Sequence, residues 1–96
     1  MAMITTGFDD VKYLTDSKKS ASTAVSTTGT VTIDLPTGAS EVLALVPLAV
    51  YPDSSWTGVT GIPVVGVTPS TRSIFFRPLG TQSAQVYVVR YLMIYR

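Results

Sequence analysis

The sequence contains no cysteine and no histidine. Disulfides, thiol chemistry, zinc fingers, imidazole catalysis and haem ligation by either residue are therefore excluded. Charge is scarce as well: 14% of residues are charged, against about 25% in ordinary globular chains. The net charge of +1 gives no general attraction to nucleic acid. Long apolar runs are also missing. The longest uncharged, mostly apolar stretch, Val42–Tyr51, falls far short of the ~18 residues that span a bilayer. Met1–Asp10 has neither a basic start nor an apolar stretch after it, so the chain reads as one without a signal peptide, made in the cytosol. No G-x-S-x-G elbow, P-loop, H-E-x-x-H or G-x-G-x-x-G occurs. The six carboxylates, Asp9, Asp10, Asp16, Asp34, Glu41 and Asp53, are scattered and lack calcium-loop spacing. The expectation is a non-enzyme with no cofactor, no metal, no nucleic-acid partner and no membrane span.

At 96 residues there is room for one domain. A chain this small buries only about 64% of its unfolded surface, and such domains usually add disulfides, a metal or a partner chain. Only the partner chain remains here. The 14 Thr, 13 Val and 10 Ser, with 7 Gly and 6 Pro, suit strands joined by turns. A mean hydropathy of +0.37 with so few charges suggests a surface partly covered by other subunits.

Residues 1–20 read as an N-terminal arm, polar punctuation around a weak strand at Val11–Thr15, either a frayed terminus or a tether onto a neighbouring subunit. Residues 21–96 read as a single β-sandwich domain. Ser20–Ser26 is a candidate edge strand that forms a hairpin with Thr30–Leu35, in which Val31, Ile33 and Leu35 alternate with Thr30, Thr32 and Asp34. Glu41–Tyr51 is apolar on both parities, and Pro47 requires an edge position or a bulge. Ile62–Thr68, with Pro63 and Gly66 as edge or bulge markers, Arg72–Arg77 and Ala84–Tyr95 complete about seven strands, with no helix. Short strands separated by Gly/Pro turns predict an all-β fold, an antiparallel β-sandwich (a jelly roll in plan) or a barrel.

The final strand is apolar on both faces. Val86, Val88, Leu92 and Ile94 flank Arg90 on one side, while Tyr87, Val89, Tyr91, Met93 and Tyr95 form the other. One side can fill the core. The tyrosine side, together with Leu43 and Leu45, is expected to form an oligomer interface, because Tyr and Met are enriched where subunits meet. Arg90 is expected to pair with Asp34 or Glu41, or with a carboxylate of the next subunit. In the loop after Val50, Tyr51, Asp53 and Trp56 combine aromatic rings with a carboxylate, a set able to stack on a sugar and accept its hydroxyls. Alternatively, Trp56 plugs the end of a sandwich. Arg72, Phe75, Phe76 and Arg77 form a basic-aromatic cluster, but Phe75 and Phe76 face opposite sides.

Over roughly residues 30–96 the chain resembles the H-type-lectin-like domains at the tips of phage tail fibres. The matching features are a strand entering Asp34-Leu35-Pro36, the Val/Leu strand Glu41–Tyr51, a loop, two further strands and an aromatic-rich last strand. Where that pattern carries a Trp late in the last strand, this chain has Tyr91 or Tyr95. The resemblance implies a homotrimer packed around an axis and a possible host glycan at one end. More broadly, the composition is similar to that of small phage virion proteins such as capsid decorations and tail fibre subunits. The expected role is a structural subunit made in the host cytoplasm and located in the virion, attached to other virion proteins by its N-terminal arm; the alternative is a carbohydrate- or receptor-binding module.

Overall fold

A computed structural model describes residues 2–5, 11–53, 62–78 and 84–96, the first of these as backbone. Among them are seven strands and no helix: β1 (Ala2–Thr5), β2 (Lys12–Lys19), β3 (Gly29–Thr32), β4 (Val42–Pro52), β5 (Val64–Thr68), β6 (Ser73–Phe76) and β7 (Tyr87–Tyr95). They form two antiparallel sheets, a four-stranded one in the order β1-β2-β7-β4 and a three-stranded one in the order β3-β6-β5. The all-β, sandwich-like fold expected from the strand and turn pattern is the one observed.

The alternation in Thr30–Leu35 does what period-two patterning requires. Val31 and Ile33 are buried and Thr30, Thr32 and Asp34 are exposed. With Ile74 and Phe76 of β6 they form one wall of the core. The opposing wall is Leu14 of β2, Leu45 and Val50 of β4, and Tyr87, Val89, Tyr91, Met93 and Tyr95 of β7. The Phe76 and Tyr87 rings meet across the layers at 5.4 Å and 60°, a tilted pair. Fully burying side chains of this size stabilises by roughly 1.5–3 kcal/mol each, and Phe76, Ile33, Ile74, Met93 and Val89 are fully buried.

The edges behave as their prolines and glycine suggest. β4 is an edge strand with register shifts between Val42 and Ala44 and between Pro47 and Ala49. β5 is the edge of the smaller sheet and shifts between Val64 and Gly66. Gly38 has φ +84° at the third position of a Pro36–Ala39 turn, closed by the Ala39 N–H to the Pro36 carbonyl at 3.0 Å, where only glycine is unstrained.

Two parts of the N-terminal third differ from expectation. Residues 12–19 are not an arm: β2 lies between β1 and β7 and pairs with β7 along its whole length, Lys12 opposite Tyr95 through to Lys19 opposite Val88. Ser20–Ser26 is not a strand and forms no hairpin. It forms an isolated β-bridge, Thr23 with Gln85, and β3 pairs with β6 instead. Its Ala and Ser side chains bring little apolar area to bury, so hydrogen bonds fix it. The Ser20 N–H donates to the Tyr87 carbonyl at 2.8 Å, and Ser20 Oγ accepts the Tyr87 N–H at 3.0 Å.

Candidate functional site: an outer apolar face and an interlayer cleft

Register fixes which side of the four-stranded sheet each residue occupies. Leu14, Met93 and Leu45 stand side by side and all are buried, so they face the second sheet. Counting by twos, Tyr87, Val89, Tyr91 and Tyr95 face the same way. This corrects the interface assignment. Tyr87, Val89, Tyr91 and Met93 are 2%, 0%, 6% and 0% exposed inside their own protomer, and Tyr95 and Leu45 are buried with them. The reason is coverage: the three-stranded sheet supplies Val31, Ile33, Ile74 and Phe76 against these rings.

The opposite side faces outward. It carries Tyr13 and Thr15 on β2, Leu92 and Ile94 on β7, and Ala44 and Val46 on β4, in lateral register. None of these six is charged, and none is fully buried. Val46 is 39% exposed, with Leu43 at 40% and Leu48 at 53% along the same edge strand. An antiparallel sheet with one side in water normally alternates polar with apolar residues. This outer face does not. Arg90, expected to pair with Asp34 or Glu41, is exposed on it; Asp34 instead meets Lys18 at 3.4 Å, and Glu41 meets Arg96 at 2.8 Å.

The expected sugar loop is only partly within the described residues. Tyr51 lies on β4 and is half-buried, Asp53 holds Lys19 at 3.3 Å, and Trp56 lies outside the described residues. The basic-aromatic cluster is divided among structural tasks. Phe76 is fully buried, Arg72 Nε donates to the Ile33 carbonyl at 2.7 Å, and Arg77 donates to Thr28 Oγ1 at 3.4 Å.

A feature that no local motif announces lies between the sheets. Where β4 and β5 meet, the layers are in contact; on the β2 side a cleft of about 490 Å³ opens between β2–β7 and the 34–37 turn. Leu14, Met93 and Tyr95 provide apolar lining, and Asp16, Lys18, Asp34 and Tyr91 bring polar groups. The Lys18–Asp34 pair bridges the two layers here, with Asp34 91% exposed and Lys18 42% exposed. Tyr91 is 6% exposed, and its hydroxyl has no hydrogen-bond partner among the described residues. Burial, reinforced by the Asp16 and Asp34 charges, pushes its pKa above the ordinary tyrosine value. Sequence reading missed this site because its members come from three distant segments that only the sheet order brings together. No group of three or more metal-ligating side chains occurs among the described residues.

Comparison with protein-family models, curated proteins and solved structures gave no match.

Proposed function

We propose that this chain is a non-enzymatic structural subunit of a phage particle that works as a homo-oligomer, its copies meeting through the outer face of β2, β7 and β4. The carrying observation is that six registered positions of this face are uncharged and mostly apolar across three adjacent strands, and the described residues leave them only partly covered. A second copy suits it by size. Strands about 4.8 Å apart and about 30 Å long give a plan area on the order of 500 Å², and side-chain relief brings it toward the ~600–800 Å² per partner of a small stable interface. Stacking face to face also agrees with the edges. Pro47 and two bulges interrupt the free edge of β4 and oppose strand addition there. The particle setting is supported by composition and by the resemblance to fibre-tip and decoration domains, which also implies a trimer.

Sedimentation tests the assembly. The expected mass is a multiple of 10.2 kDa at micromolar concentration. Val46→Lys together with Leu48→Lys, both at exposed positions, is expected to leave a folded monomer. A wild-type monomer overturns the assembly reading. Mass spectrometry of purified particles from cultures carrying this sequence tests the setting separately, and absence of the chain from them removes it.

A further inference from the structure

We propose that the cleft between β2–β7 and the 34–37 turn is a binding site for a primary alkylammonium group, either a free amine or the end of a lysine side chain. An ammonium carries three donors and no acceptor. The cleft offers three matching oxygen groups, the carboxylates of Asp16 and Asp34 and the hydroxyl of Tyr91, whose ring is buried while its hydroxyl opens to the cleft and has no partner among the described residues. Asp16 stands directly opposite Tyr91 in the β2–β7 register, and Asp34 approaches from the other layer. Below them Leu14, Met93 and Tyr95 supply apolar and aromatic area for an aliphatic stem.

The cleft already displays the chemistry once. Lys18 Nζ sits 3.4 Å from Asp34 Oδ2 at the mouth. That pair is largely solvated and so holds weakly. It leaves Asp16, which accepts the neighbouring Ser17 N–H at 2.8 Å, and Tyr91 open to a second ammonium. Two carboxylates against one lysine leave the cleft net negative, which selects a cation over an anion. It also disfavours a neutral polyol, whose hydroxyls gain no charge-assisted bond. Lys18 thus competes with the ligand for Asp34.

The test follows backbone amide NMR shifts of the full chain at low salt on addition of cadaverine, Nα-acetyl-lysine amide, pentanol or glucose. Saturable shifts are expected at Asp16, Lys18, Asp34, Leu35 and Tyr91 with the two amines, and none with pentanol or glucose. A response to cadaverine alone identifies a free amine as the natural form. A response to the lysine derivative alone identifies a side chain, and a response to both means the ammonium head suffices. Asp16→Asn is expected to weaken binding about tenfold, Tyr91→Phe several-fold, and Lys18→Gln to tighten it several-fold. No saturable shift up to about 30 mM amine overturns the proposal. So do shifts confined to other regions, equal binding by Asp16→Asn, weaker binding by Lys18→Gln, or an equal response to glucose. The outer face takes no part in this site, so either proposal can fail without the other.

Discussion

Arg72 and Ile33 hold each other by two hydrogen bonds across the β3–β6 end of the smaller sheet. Arg72 Nε donates to the Ile33 carbonyl at 2.7 Å, and the Ile33 N–H donates to the Arg72 carbonyl at 2.8 Å. Arg72 also closes the turn from Pro69, its N–H meeting that carbonyl at 3.1 Å, with φ at +56° in the left-handed region. A non-glycine residue there costs on the order of 1 kcal/mol. The guanidinium bond to Ile33, a residue only 1% exposed, offsets that strain and extends the pairing of β3 by one residue.

Separate substitutions resolve the two effects. Arg72→Ala keeps the strain and loses the charge-assisted bond, so it should lower unfolding free energy by about 1–3 kcal/mol. Arg72→Gly loses the same bond but relieves the backbone by about 1 kcal/mol, so its urea midpoint should lie between those of Ala and wild type. If the glycine variant is the less stable of the two, backbone strain is not part of the balance.

Gly29 and Phe76 make a second pair, set by space. They stand opposite each other in the β3–β6 register, and a methyl group on Gly29 would overlap the far end of the Phe76 ring. Phe76 is fully buried and has no room to retreat. Gly29→Ala should therefore destabilise by about 1–3 kcal/mol. In the Gly29→Ala/Phe76→Leu double variant the alanine should cost clearly less, giving a coupling energy of about 1 kcal/mol in a double-mutant cycle. Additive losses would show that the ring is not what excludes the methyl group.

Much of this architecture is legible in the residues, and the failures have physical causes. The alternation of Val31 and Ile33, the Pro47 bulge and the Gly66 bulge follow from side-chain period and from proline's missing donor. For β7, parity yields two apolar sets without saying which is covered. Three tyrosines suggest an interface when read alone. In the fold their rings are buried and polar tips find places at the margins: Tyr87 OH meets Gln85 at 3.5 Å, and Tyr91 lines the cleft. The side of this strand that stays only half-buried is the Leu92–Ile94 side. β2 reads as punctuation because Asp16 and Lys18, on its inward parity, line the cleft where a core strand would carry apolar residues. The cleft itself has no sequence signature, since Asp16, Asp34 and Tyr91 meet only through the order of the sheets.

The environment of Tyr91 makes alkaline stability depend on that cleft. Burial first, then the charges of Asp16 and Asp34, raise its pKa in the folded chain above the ordinary value near 10. The unfolded chain then gives up this proton at lower pH than the folded one. The stabilisation is fully present below the unfolded value and is lost as pH rises through the folded value. Urea midpoints of the wild type should thus fall from about pH 10 upward more steeply than those of Tyr91→Phe, which carries the alkaline losses common to both chains. Ultraviolet difference absorbance should show a late phenolate component that is absent in Tyr91→Phe. In Asp16→Asn it should appear at lower pH, because one repelling charge is gone while burial remains. Parallel alkaline profiles for wild type and Tyr91→Phe would mean that the phenol is as well solvated in the folded chain as in the unfolded one.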